Sequence, residues 1–452
     1  MKVHEARIQP LNDRPARRGD YVLYWMQASQ RAEHNDAMEY AAARANELAL
    51  PLLCVFGLAD DYPDANRRHY AFMLQGLAET AHVLARRGVK LVVRHMSPPD
   101  AALGLADDAA LLVSDRGYTR HQRAWRRRVA REAPCRVVQV EGDVVVPVEL
   151  ASDKAEYSAA TLRPKIHARL DKCLVLPTRV PLKRGSLDLN VTGWDVQDAD
   201  ATLERLKLAR DAEPVAAFIG GTSQATRRLK EFIAGKLARY HKQSGDPACE
   251  VVSHQSPYLH FGQISPVYIA LQVADDDAPQ PAKDAYVEQL IVRRELNFNF
   301  LRYQRRYDSY RSLPAWARAT LRQHRGDRRR PVYTFRQLER AETHDAYWNA
   351  AMREMLLTGY MHNYMRMYWG KKIIEWTRAP AWAYRVAVTL NNRYLLDGRD
   401  GNSWGNIAWL FGLYDRPWRQ REVFGTVRYM NAAGLERKFD IDAYVRRVDS
   451  LE

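Results

Sequence analysis

Apolar runs alternate with amphipathic stretches through the first third of the chain. YVLYWM (21–26) is a short run of the kind a buried strand needs. AMEYAAARANELAL (37–50) reads as an Ala-rich helix, and PLLCVFGL (51–58) as a second apolar strand. HYAFMLQGLAETAHVLARRG (69–88) has the period of an amphipathic helix and ends at Gly88, a residue suited to a C-terminal cap. VKLVVRH, AALLVSD and CRVVQVEGDVVVP supply further strands. Strand and helix in alternation predict an α/β domain built on a doubly wound parallel sheet. No G-x-G-x-x-G follows the first strand, so a dinucleotide fingerprint is absent. The switch point of such a sheet remains a place where a ligand can sit.

The pattern then changes. PTRVPLKRGSLDLNVTGWDVQDAD (177–200) carries turn residues and little periodicity, as an interdomain connection does. From about 201 onward the period is helical, as in ATLERLKLAR, ATRRLKEFIAGKLARYHK, AYVEQLIVRRELNFNFLRYQ and HDAYWNAAMREMLLTG. The last of these runs from a capping Asp345 to Gly359. The expected organisation is an α/β domain over 1–176, a linker over 177–200 and an all-α domain over 201–452. Seven of the eleven tryptophans fall in the last part: Trp348, Trp369, Trp376, Trp382, Trp404, Trp409 and Trp418. Trp369 and Trp376 are close to two helical turns apart and share one face. Indoles have one-electron redox chemistry that Leu and Phe lack, so a file of them can stack bases or relay electrons. The ordinary alternative is core packing.

Composition narrows the class. The 452 residues are 46 % apolar, which suits a soluble globular protein of roughly two or three domains. No apolar run approaches a membrane span and the start is not a secretory signal, so an intracellular location is expected. Lys and Arg number 69 against 54 Asp and Glu, a net charge of +15. Such an excess favours polyanions. The basic residues cluster in WRRRVAR (125–131), RYQRRYDSYR (302–311), HRGDRRRP (324–331) and YDRPWRQRE (414–422). The last three interleave Arg with Tyr or Trp or follow such a run, as grooves that hold phosphates and stack bases do. Cys54, Cys135, Cys173 and Cys249 have no metal-site spacing, so neither a metal nor a disulfide framework is expected.

Several long motifs resemble one family, the DNA photolyases and cryptochromes. SPYLHFGQIS (256–265) resembles its flavin-binding turn and MHNYMRMYWGKKIIEW (361–376) its helix beneath the flavin. LNNRYLLDGRDGNSWGNIAW (390–409) and REVFGTVRYMN (421–431) resemble its C-terminal motifs. YWMQASQRAEHNDAMEYA (24–41) and EYSAATLRPKI (156–166) are similar to it in the first half. The likeness is greatest to the class II cyclobutane-dimer photolyases. It implies an α/β antenna domain that has room for a deazaflavin-type chromophore, and an all-helical domain that holds FAD. It also implies blue-light electron transfer to a pyrimidine dimer flipped out of DNA, in a monomer with a basic groove.

By this resemblance Tyr240, Ser253 and Ser256 hold the diphosphate and ribityl region, where a hydroxyl or a helix start suits a phosphate. Arg366 lies over the isoalloxazine, Arg294 is a nearby cation and Asp397 accepts from the ring edge. Asn391 faces flavin N5, with Asn402 a second candidate. Trp369, Trp348 and Trp376 are the electron-transfer tryptophans, Trp369 nearest the flavin. Met367 and Trp409 match residues that grip the flat, apolar lesion.

Three positions depart from the family. Before the flavin turn it commonly reads Y-A-x-x-R-N-D-P, and here YHKQSGDP places Ser244 and Gly245 where Arg and Asn hold lesion and water. Two glutamates usually precede L-x-V-R-R-E-L, one of which hydrogen-bonds the dimer; here Glu288 remains as a catalytic candidate, and Gln289 stands at the position favoured for that role. A glutamine donates a hydrogen bond but supplies neither proton nor charge. These departures motivate an alternative, a cryptochrome-like blue-light photoreceptor with weak or no repair. A single-strand nucleic-acid binder would explain the Arg and Trp interleaving but not the flavin motifs.

Overall fold

The structure is a computed structural model and describes residues 3–451. Six strands form one sheet: β1 (Ile8–Pro10), β2 (Tyr21–Trp25), β3 (Leu52–Leu58), β4 (Lys90–His95), β5 (Ala109–Asp115) and β6 (Arg136–Val140). Their order is β1-β6-β5-β2-β3-β4, and all pairs are parallel except β1 with β6. Every residue of β2, β3 and β5 is buried, because helices such as Asp36–Glu47, Arg67–Arg86 and Arg120–Glu132 cover the sheet. That is why these strands are continuous apolar runs rather than alternating ones. Gly88 follows the second helix at φ +76°, in the left-handed region that a C-terminal cap uses. The winding reverses between β2 and β5, which puts a topological switch point at their carboxyl ends.

One apolar run does not become the expected strand. After β6 the segment GDVVVP leaves the sheet, although Val144, Val145 and Val146 are wholly buried. Side chains satisfy its backbone instead. Val145 and Val146 donate their amides to the Glu295 carboxylate, and Arg7 donates to the carbonyls of Val144 and Val145. Burial pushes Glu295 up to about 8, against the pull of those two amides and of Arg294 and Arg7.

The remainder of the chain is helical. Segment 177–200 holds no helix or strand before Ala199 and lies on the sheet half: Val180 donates to Glu39 at 2.7 Å, and Lys90 donates to Ser186 at 2.8 Å. The helix Ala346–Thr358 starts on Asp345, which accepts from the Trp348 amide at 3.0 Å, and stops at Gly359 (φ +71°). Helices Asn363–Trp376, Pro380–Tyr394 and Gly401–Leu410 pack with it in one apolar core that contains Trp348, Trp369 and Trp376. Between Gln280–Val287 and Arg294–Tyr303 the chain makes a π-helical turn over Glu288–Arg293. Turns of that kind often mark functional sites. Among the described residues no helix is long and apolar enough to cross a membrane.

Candidate functional site

The helical half encloses a cavity of about 690 Å³, within the range of cofactor sites. Its lining brings together Tyr240, Ser253, Ser256, Arg294, Arg366, Met367, Trp369, Asn391, Asp397, Asn402 and Trp409, residues separated by up to 169 positions. The Asn363–Trp376 helix supplies Arg366, Met367 and Trp369 from a single turn. The Gly401–Leu410 helix supplies Asn402 and Trp409 from the wall facing it.

The charged groups of this cavity are held by one another. Arg366 makes a two-pronged ion pair with Asp397, at 3.0 and 2.9 Å, and donates its Nε to the Met361 carbonyl. Burial would depress the guanidinium, but the Asp397 carboxylate outweighs that and leaves it raised. Asn391 spends its amide hydrogens on Asn392 (3.1 Å) and Ser403 (3.0 Å), which fixes the direction of its carbonyl. Arg294 donates to the Asp143 carbonyl at 2.6 Å and lies over the Phe298 ring. Ser253 accepts from Tyr286 at 3.0 Å. It precedes His254, whose φ of +53° is a left-handed conformation rare outside glycine and common at binding sites.

Three lining residues keep a buried polar atom with no protein partner: Gln255 Oε1, Asn297 Oδ1 and Trp369 Nε1. Orphaned atoms of that kind call for a ligand or water in the space they face.

The three tryptophans form a file. Trp369 lines the cavity. Trp348 donates its Nε1 to the Trp369 carbonyl at 2.9 Å, and its ring centre lies 5.6 Å from that of Trp376. All three are at most 2 % exposed, so they also belong to the core.

Three of the expected residues lie away from the cavity. Ser244 and Gly245 do not line the cavity. The Ser244 carbonyl bonds the His362 ring at 3.1 Å, and Gly245 faces open space. Glu288 also turns away, to a two-pronged pair with Arg163 (3.0 and 2.8 Å) and a contact with Arg293 at 3.0 Å. Burial raises its carboxyl, but the two cations prevail and hold it low. The π turn directs Gln289, not Glu288, to the cavity mouth.

A second, smaller cavity of about 110 Å³ lies at the switch point. Met26, Gln27 and Ala28 line it after β2, Phe56–Leu58 from β3, and Gly117–Thr119 after β5. Asp115 fixes this rim by accepting from the amides of Gln27, Ala28 and Ser29 at 2.9–3.1 Å. The helical half closes it with Leu259–Phe261 and Arg399–Gly401. Gln27 (both amide atoms), Gln30 Oε1, His260 Nδ1 and Arg399 Nε lack partners there. Arg399 donates to His260 Nε2 at 3.1 Å; a guanidinium only donates, so the unpartnered Nδ1 carries the proton.

The turn 397–401 threads between the cavities. Asp397 faces the large one and Arg399 the small one, while Asp400 lines both and is lifted by burial to about 6. His260, Arg399 and Asp400 lie inside the motifs SPYLHFGQIS and LNNRYLLDGRDGNSWGNIAW, but nothing in their spacing sets them apart as site residues.

At the mouth of the large cavity, Arg428 lies 5.6 Å from the Trp409 ring and 4.2 Å from the ring of Trp418, which is 40 % exposed. Asp415 holds Arg428 at 2.9 and 3.2 Å. Cation and indole thus alternate from the surface into the cavity. Of the four basic clusters, YDRPWRQRE reaches this mouth. WRRRVAR instead lies on the sheet half, where Arg126 is buried and Arg128 pairs with Asp100 and Glu132.

The sequence profile of the DNA photolyase family matches residues 22–183. The chain is 49 % identical over 451 residues to the deoxyribodipyrimidine photo-lyase of Methanothermobacter thermautotrophicus, covering 99 % of each. It belongs to the DNA photolyase family. Solved structures share its fold. A class III photolyase from Agrobacterium tumefaciens superposes with a TM-score of 0.75 at 17 % identity, over 96 % of this chain and 87 % of that one. An archaeal photolyase from Sulfolobus tokodaii, described with two FAD molecules, gives 0.71 at 16 % identity, over 94 % and 89 %. A photolyase fold of α/β sheet domain and helical domain therefore frames both cavities.

Proposed function

We propose that this chain is a blue-light-driven deoxyribodipyrimidine photolyase of class II type. In this reading FAD occupies the large cavity and a cyclobutane pyrimidine dimer, flipped out of DNA, enters at its mouth. The observation that carries the reading is the large cavity itself, where an Arg366–Asp397 ion pair, orphaned buried polar atoms and the inner end of a tryptophan file meet. We take the division of the chain to be an antenna-type domain over 1–176, a linker over 177–200 and an FAD domain over 201–452.

The donor set fits this cofactor. Ser253, Ser256 and Tyr240 offer hydroxyls for the diphosphate and ribityl chain, and Arg294 a cation near them. Arg366, Asp397 and the Asn391 carbonyl present fixed groups to the ring system, with Asn402 beside them. When bound, FAD supplies the light absorption and the electron that splits the dimer. The chain's own part is to hold, orient and recharge. Trp369, Trp348 and Trp376 pass electrons inward from the protein exterior. Met367 and Trp409 grip the apolar faces of the dimer. Gln289 offers an amide hydrogen to its carbonyls. Arg428 and the exposed Trp418 meet the strand that is opened when the lesion leaves the duplex.

The small cavity takes the second chromophore, of deazaflavin type. Gln27, Gln30, His260 and Arg399 give it polar contacts, and Tyr62 and Trp125 give it ring faces. The light-sensing alternative is not favoured. Two of its three motives, Ser244 and Gly245, lie off the cavity, and the third, Gln289, keeps a hydrogen-bond donor at the mouth.

The test is extraction and repair. Acid-released chromophore should elute as FAD at about one per chain, and dimers in an oligonucleotide should disappear in blue light and persist in the dark. Protein that binds FAD yet leaves dimers intact in the light would refute the repair assignment.

A further inference from the structure

Two indoles line the large cavity, and their electrostatic surroundings differ. Lys371 is wholly buried and follows Trp369 by two residues, a spacing that points it to another side of the helix. Its ammonium donates to the Leu410 carbonyl and lies 5.3 Å from the centre of the Trp409 ring. On the same ring, the Arg428 guanidinium lies 5.6 Å away. Asp415 is the carboxylate that faces both cations, and Arg428 already holds its two oxygens. Trp409 thus carries two cations. Among the described residues, no Lys or Arg lies over the ring of Trp369.

A buried lysine with a single carbonyl partner is costly, and packing alone would be served by Met or Leu. Its placement has an electronic consequence. A cation over an indole stabilises the neutral, electron-rich ring. It opposes the positive charge left behind when that ring loses an electron, most strongly where water does not screen it.

We propose that Lys371 is a positioning residue that, with Arg428, bars Trp409 from electron loss, so that recharging of the flavin runs through Trp369. The inference rests on the FAD assignment above. In the step concerned, one electron leaves the Trp369 indole for photo-excited, oxidised flavin. The indole is oxidised by one electron and the flavin reduced by one. Trp348 and then Trp376 refill the indole. Trp409 keeps its electron and acts on the lesion as a neutral gripping face. Trp369 and Trp409 thereby divide two tasks that either indole could perform on chemistry alone.

Burial pulls the Lys371 ammonium down to about 7, with Asp415 drawing it up and Arg428 pushing it further down. The bar is therefore complete in mild acid and weakens as pH rises through that value. Lys372, the next residue, faces Tyr368 and Trp376 and pairs with Glu375 at 2.9 Å, so it does not act on Trp409.

The test uses the FAD-loaded protein under blue light with a thiol in solution. At about pH 6, where the bar is complete, Trp369→Phe should abolish photoreduction. Adding Lys371→Met should restore it by at least about fivefold, because Trp409 can then donate and be refilled by the thiol at the mouth. Adding Lys371→Arg should not restore it. In Trp369→Phe alone, photoreduction should climb as pH goes from about 6 to about 8.5, following the ammonium. A second readout needs no turnover. Lys371→Met should shift the near-ultraviolet indole band, and the shift should vanish in a Trp409→Phe background. If the band shifts while Trp369→Phe/Lys371→Met stays inert, the proposal is overturned. If Lys371→Met does not fold, a flat pH profile for Trp369→Phe overturns it alone. Failure of the unmutated protein to bind or photoreduce FAD would instead refute the assignment beneath it.

Discussion

The two cavities differ in how much of their chemistry is finished before a ligand arrives. In the large one the charged groups are already paired, Arg366 with Asp397 at 2.9–3.0 Å, and Asn391 is locked by Ser403 and Asn392; its unpartnered atoms, on Gln255, Asn297 and Trp369, belong to uncharged side chains. In the small one Gln27, Gln30, His260 and Arg399 keep unpartnered polar atoms, and His69, His121 and His260 are buried near Arg399. Electron chemistry profits from fixed dipoles and charges, because they need no rearrangement when charge moves. A site that only collects light needs to hold a ring in place, and its polar atoms can wait for that ring. The large cavity is accordingly walled mainly by helices, and the small one by the chain at the carboxyl ends of the central strands β2, β3 and β5.

The largest effect should come from breaking the pair in the large cavity. Arg366→Ala leaves the Asp397 carboxylate buried and unpaired, a penalty of ~3–5 kcal/mol. Flavin recovered with the purified protein should fall at least about tenfold, measured by absorbance, while any chromophore of the small cavity is retained. Equal loss of both would erase the distinction between the cavities.

Next comes the file. Trp348→Phe should slow blue-light reduction of bound FAD at least about tenfold with flavin content unchanged. Trp376→Phe should slow it less, since Trp376 is the outer member; time-resolved flavin absorbance checks both.

A moderate effect is expected from acid. Burial holds His121 down at about 4, with Arg399 and Arg126 adding to the shift, and also lowers His69 and His260. Each folded-state value lies below the ordinary histidine range, so the unfolded chain binds more protons. The stability these histidines contribute is present above pH about 6.5 and is lost as pH falls toward the folded values. Each group should contribute a slope of ~1.4 kcal/mol per pH unit across that window, and His121→Phe should remove one such slope. Urea unfolding between about pH 7 and pH 5 measures it, and an unchanged slope would contradict burial as the cause.

The smallest effect should be at Gln289. It is exposed at the mouth and has no charged partner among the described residues. Gln289→Glu should alter the repair yield by about threefold or less, within ~1 kcal/mol. A change of a hundredfold would show that charge at this position governs the chemistry.

Much of this was legible in the sequence, and the gaps have physical causes. The buried parallel strands announced themselves as unbroken apolar runs, and Asp345 and Gly359 bounded a helix by their capping chemistry. The GDVVVP run looked like one more strand because its apolar side chains are buried. Its backbone partners, Arg7 and Glu295, lie 130 or more residues away, and no local pattern encodes them. The same limit applies at the site. Arg366, Trp369, Asn391 and Asp397 belong to long motifs and fall together around one space. Ser244, Gly245 and Glu288 were placed by register, and a π turn and a distant histidine move them off the cavity. His260 and Arg399 carry no local signal, because their roles appear only where two halves of the chain meet.

The most direct measurement follows thymine absorbance during illumination. The protein would be photoreduced and mixed with a single-stranded oligonucleotide carrying one thymine dimer. The account predicts recovery of absorbance with blue-light exposure, absent in the dark and lost in Arg366→Ala. Complete flavin photoreduction with no recovery of thymine would contradict it.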